Sequence, residues 1–284
     1  MKKFVIARYY FNSLFREQAD ATFIDDLRKN PYLQESKFDY AVGNLAVDDK
    51  IDGYTIIRGT FGRVRKGDIG EIYDKEKQEF KKKNLPDTAD ILIEFIINPE
   101  SHLIFVEFDS RLRPQVFAKK FKKIHGSTKS SADLEIDFIF IKKDVYEAIQ
   151  KWKRIEKVTF KKLRPSNPSS LPDYEEIERF LKESGSESTN LELNAPAKKE
   201  DGDAKDVPGL NYKSKLIGQS IALSADGYGE ARILGVDEND TKVEVETKSF
   251  LRKIDVDFAR ADVVQSIIDT VKKIKEEHSR KDKL

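Results

Sequence analysis

Residues 89–110 read ADILIEFII, NPES, HLIFVEFDS: two apolar runs of strand length on either side of a four-residue turn that holds Asn98 and Pro99. Asn and Pro favour chain reversal, so the stretch predicts an antiparallel hairpin. An antiparallel pair therefore has to lie in this chain, and the rest must be arranged around it.

The next segment, PQVFAKKFKKIHG, predicts a helix: Pro114 suits its first position, Phe117, Phe121 and Ile124 fall at helical spacing, and Gly126 suits its cap. ADLEIDFIFI then reads as a strand, KKDVYEAIQKWKR as a helix and IEKVTFKKL as another strand. Strands and helices in that order imply a mixed sheet layer with packed helices, an α+β fold. Upstream, FVIARYYF reads as an opening strand and DDLRKNPYLQ as a helix that Pro31 ends. YTIIRGTFGRVRKGDIGEIYD shows β-prone alternation broken by Gly59, Gly62, Gly67 and Gly70, as a glycine-rich edge strand or a ligand loop would.

Downstream, DYEEIERFLKES reads as an acidic helix behind Pro172, and residues 185–208 as a flexible acidic linker. QSIALSADGYGEARILGVDENDTKVEVET is expected to form a three-stranded meander turning at Asp226-Gly227 and at DEND. The last segment is expected to be a long helix with Val263, Val264, Ile267, Ile268, Val271 and Ile274 on one stripe, packed on the meander or used for dimerisation. The expected organisation is an N-terminal domain over 1–184, the linker over 185–208, and a meander plus helix over 209–284.

Composition narrows the chemistry. The 284 residues include no cysteine, which excludes thiolate nucleophiles, disulfides and Cys-ligated zinc. No segment approaches the roughly 18 apolar residues of a membrane span. Arg8 interrupts the apolar start before any cleavage site, so a cytoplasmic protein is expected. GTFGRVRKGDIG lacks a nucleotide-binding frame, and its glycines suit turns or bulges. None of His102, His125 and His278 has metal-ligand spacing; His102 and His278 read as turn or solvent residues, and His125 as a helix C-terminal cap or a phosphate contact. Glu94, Glu107 and Asp109 could cluster across the hairpin as nuclease carboxylates, although Arg111 stands where a lysine is wanted. An ordinary solvated strand face is the favoured account of these acids, as it is of Asp133, Glu135 and Asp137. No cofactor or metal is expected, and a non-enzymatic role is favoured.

The strongest feature is a charge asymmetry. The chain as a whole carries 52 basic and 51 acidic residues, but 111–164 holds 16 Lys/Arg against 6 Asp/Glu, and 165–209 holds 5 against 11. A local excess of ten cations attracts polyanions, nucleic acid above all. The candidate phosphate contacts are Lys119, Lys120, Lys122, Lys123, Lys129, Lys142, Lys143, Lys161, Lys162 and Arg164. Ser166 and Asn167 in RPSNP could join Arg164 in holding a phosphate, or the prolines there could simply end an edge strand. The absence of a helix-turn-helix or zinc-finger pattern predicts little base readout.

A strand ending in RPSNP, a helix, a hydrophilic break, then ALSADGYGEARILG leading into a terminal helix resembles the RexA-like and KwaB-like families of bacterial phage-exclusion proteins. The resemblance covers most of residues 85–280. It implies an antiphage role, a homodimer, binding of double-stranded DNA without strong sequence preference, and a membrane-protein partner in the same defence system. Two alternatives stand beside this expectation: a metal-dependent nuclease using the hairpin carboxylates, and a protein-interaction module whose acidic linker covers the basic face.

Overall fold

The computed structural model describes residues 2–12, 16–29, 32–67, 69–74, 79–84, 86–127, 133–166, 174–196, 208–256 and 263–279. Its elements run β1 (Lys2–Asn12), α1 (Arg16–Arg28), β2 (Tyr32–Leu33), β3 (Phe38–Ile51), β4 (Tyr54–Arg65), β5 (Ile69–Asp74), β6 (Glu79–Asn84), β7 (Thr88–Asn98) and β8 (Leu103–Glu107). They continue α2 (Pro114–Ser127), β9 (Asp133–Phe138), α3 (Lys142–Gln150), β10 (Arg154–Leu163), α4 (Glu175–Glu183), β11 (Thr189–Asn194), α5 (Lys215–Ala225), β12 (Glu230–Val236), β13 (Lys242–Glu246), β14 (Lys253–Val256) and α6 (Val263–Ser279). The fold is α+β, and no helix among the described residues is long and apolar enough to cross a membrane. The chain separates into two compact units, one made of Lys2–Phe4 and Tyr9–Ile136, the other of Val5–Arg8 and Asp137–Leu284. β1 thus lends its ends to one unit and its middle to the other.

In the first unit the expected hairpin is β7 and β8, closed by a 3₁₀ turn at Pro99–Ser101 with Ile97 opposite Ile104. The sheet continues β7-β4-β3-β2 on one side of β8, and the ends of β1 lie on the other. β4 runs unbroken through Gly59 and Gly62 and so is no ligand loop. Gly59 lies directly opposite Phe95, whose ring fills the space where a Cβ would stand. α2 covers this face with Phe117 and Phe121, set 5.0 Å from Phe61 and 5.3 Å from Phe95 between ring centroids. The apolar spacing read in the sequence is the spacing that packs.

In the second unit four antiparallel strands lie in the order β11-β10-β12-β13. Val158, Phe160 and Leu163 of β10 and Ile233 of β12 join Val145 and Ile149 of α3, Ile177 and Leu181 of α4 and Ile217 and Ile221 of α5 in one buried cluster. α6 buries Val264, Ile267, Ile268, Val271 and Ile274 within the single chain, which uses its apolar stripe for core packing.

Three expectations are corrected. The first strand of the meander is the helix α5: Ile217, Ser220, Ile221 and Ser224 are buried at helical spacing, a pattern hidden by the serines and by the strand-like I-A-L. The expected linker 185–208 contains β11, whose Leu191 and Leu193 pack on the core, so only its stretch 197–207 lies outside the described residues. The boundary between compact units accordingly falls at Ile136/Asp137 instead of within 185–208.

Candidate nucleic-acid interface

At the end of β10 the sequence Phe160-Lys161-Lys162-Leu163 departs from strand alternation. Phe160 pairs with Leu191 and Leu163 with Thr189, so two lysines stand against the single residue Asn190. This is a β-bulge, which shifts the parity of the strand by one. Phe160 and Leu163 are therefore both buried while Lys161 and Lys162 are both exposed. Without the bulge, burying Phe160 would turn Lys162 inward and Leu163 outward. The Lys162 amide, removed from regular pairing, donates to Asn190 Oδ1 at 2.9 Å.

The bulge has a backbone cost. Five described non-glycine residues have positive φ, and four of them are Asn44, Asp52, His102 and Asp240. Those side-chain types tolerate the left-handed region; the fifth, Lys162 at φ 53°, does not share that tolerance, and its conformation costs about 1 kcal/mol.

Against the bulge lies Asp226-Gly227-Tyr228-Gly229, between α5 and β12. Gly229 has φ 142°, and a Cβ there would stand 3.0 Å from Lys161 O and 3.1 Å from Leu163 Cα. Gly227 has φ 83°, and a Cβ there would stand 3.1 Å from Arg8 Cβ and 3.2 Å from Asp137 O. Both positions need glycine for conformation and for room. The Arg164 amide donates to Tyr228 O at 3.1 Å, so RPSNP and ADGYGEA, distant in sequence, meet here.

A buried ionic cluster surrounds this turn. Arg8 Nε donates to Asp226 O at 3.1 Å, and its guanidinium lies 4.5 Å from the centre of the Tyr228 ring. Lys142 Nζ is 3.0 Å from Asp226 Oδ2 and 5.5 Å from the centre of the Tyr174 ring, while Arg164 Nη2 is 3.3 Å from Asp137 Oδ2. Ser166 donates through its amide, at 3.0 Å, and through its hydroxyl to the buried Glu178. Arg164 and Ser166 are thus built into the core, and Asn167 lies outside the described residues.

The remaining nominated cations separate by their neighbours. On α2, Lys120 is bonded to Glu35 and lies 4.9 Å from the Tyr40 ring centre, and Lys122 is 2.6 Å from Glu135. The Lys120 ammonium holds the Glu35 carboxyl below its ordinary range, with Lys123 and Lys119 adding to the effect. Lys119 and Lys123 are exposed, Lys123 at 3.9 Å from Glu35. Lys143 is exposed beside Glu147 on α3, and Lys129 lies outside the described residues. Lys161 makes no ion pair with a described residue; it lines a shallow hollow of mixed charge with Thr159, Glu230, Arg232, Glu246 and Lys248.

The acidic candidates are occupied by cations. Lys2 Nζ sits 3.1 Å from both Glu94 and Glu107, and although burial opposes its charge, these two partners raise its pKa. Asp109 accepts from the Arg111 side chain and amide, which lowers its pKa. Among the described residues no group of three His, Asp or Glu side chains is placed to hold a metal ion. His125 lies in the last turn of α2 and is buried, with Phe11 and Phe23 ring centroids at 5.4 and 5.5 Å.

Fold and site together define an α+β protein in which, of the nominated cations, Lys161 and Lys162 are exposed on a bulged strand end, Lys119 and Lys123 on α2 and Lys143 on α3. The chain belongs to the family described as Domain of unknown function (DUF4747), whose model matches residues 20–276. No curated protein matches the chain.

Proposed function

We propose that this protein binds the phosphate backbone of double-stranded DNA without strong sequence preference, in the setting of bacterial phage exclusion. The observation that carries the binding reading is the bulge of β10, which holds two consecutive lysines in solvent at the end of an inner strand of a packed sheet. Adjacent cations on a rigid backbone suit neighbouring phosphates, and contacts of that kind fix position without reading bases. The exposed Lys119 and Lys123 on α2, with Lys143 on α3, are further contacts of the same type. The phage-exclusion setting, a homodimeric working form and a membrane-protein companion come from the resemblance in architecture, over most of residues 85–280, to the RexA-like and KwaB-like families.

The test is a fluorescence-anisotropy titration of a random-sequence duplex at several salt concentrations, with and without magnesium, followed by inspection of the DNA for cuts. Binding that weakens linearly in log salt, on intact DNA, supports the reading. Cleavage on adding magnesium overturns it in favour of the hairpin acids, and no binding at low salt overturns it in favour of a protein partner.

A further inference from the structure

We infer that Asn190 and Gly229 are positioning residues that hold Lys161 and Lys162 as one two-pronged phosphate grip. The inference rests on the DNA-binding reading and adds which residues make the grip. A lysine pair in an ordinary strand points to opposite faces. Here the pair shares the solvent side because the backbone at Lys162 is left-handed, its amide is closed by Asn190 Oδ1, and Gly229 leaves room for the Lys161 carbonyl and Leu163.

Glycine at 162 would keep the conformation at lower strain, so the lysine is held there against the local backbone preference. The strained position thus keeps a second exposed lysine beside Lys161. The ligand is a phosphodiester chain: a second phosphate lies within reach of a second adjacent ammonium, whereas a lone phosphate would need only one.

The experiment compares full-length Lys162→Gly, Asn190→Ala, Gly229→Ala and the double reversal Lys161→Glu/Lys162→Glu, measuring duplex affinity, its salt dependence and the unfolding temperature. Lys162→Gly is expected to raise the unfolding temperature by about 2 °C while lowering the slope of log affinity against log salt by about one contact. Asn190→Ala and Gly229→Ala keep every cation, yet are expected to lose roughly fivefold in affinity and a similar part of that slope, because Lys162 no longer faces the duplex.

A purely structural role for Asn190 and Gly229 would lower the unfolding temperature and leave the salt slope at the wild-type value, and that result overturns the inference. Asn190→Ala decides the matter should Gly229→Ala fail to fold. Unchanged binding in the double reversal overturns the assignment of DNA binding to this strand end; loss in the double reversal with wild-type slopes in Asn190→Ala overturns the positioning role alone.

Discussion

His125 shows how a single residue can set a pH limit. Its burial beside Phe11 and Phe23 pushes the imidazole below its ordinary value of 6.5, and Asp26, at 4.0 Å, offsets only part of this. Between the ordinary and the lowered value the unfolded chain holds a proton that the folded chain lacks. Stability is therefore full above about pH 6.5 and is lost as pH falls through the folded value. Urea midpoints measured from pH 7.5 down to 5.5 should fall, and His125→Leu should flatten that fall; an unchanged slope in the variant would assign the loss to other groups. The sequence alone placed His125 at a helix end, since nothing near it signals the aromatic side chains that α1 and β1 bring in. Lys120 repeats the lesson: its partner Glu35 lies 85 residues away, and no local pattern pairs them.

At the scale of elements, periodicity reported what it could. The hairpin and α2 have runs long and regular enough to be read without their neighbours, whereas α5 was hidden because serines occupy two of its buried positions. The bulge did leave a trace: apolar, basic, basic, apolar inside a strand is a pattern that strict alternation cannot bury. Its reading needed the partner strand, and β11 has only two leucines to announce it. Glycines in β4 left an edge strand, a ligand loop, turns or bulges open, but Gly59 makes room for the Phe95 ring. Gly59→Ala should destabilise the protein by about 1–3 kcal/mol through the Phe95 clash, measured by urea denaturation. A loss below about 0.5 kcal/mol would show that Phe95 can swing away. The paired charges of α2 make a further distinction: Lys119→Glu/Lys123→Glu should weaken duplex binding more than Lys122→Gln, because Glu135 already neutralises Lys122. Equal losses in anisotropy would mean that the ion pair opens on binding.

For the whole molecule, net charge near zero conceals the site. The sequence surplus over 111–164 located a basic region, but the fold assigns its members to different tasks. Arg164 and Lys142 hold the Asp226–Gly229 turn, Lys120 and Lys122 join elements, and Lys161 and Lys162 face solvent. Duplex affinity should thus fall with salt less steeply than ten contacts would require. A slope that reaches ten would place the ion-paired lysines on the DNA as well.

The division of β1 bears on how the protein is made. Val5–Arg8 is synthesised well before its partners: the Ile6 amide donates to Arg252 O and Arg8 stacks on Tyr228. Those groups are synthesised more than two hundred residues later. During translation the middle of β1 has its apolar side chains ready and these native partners still unmade, which is the condition under which nascent chains recruit chaperones.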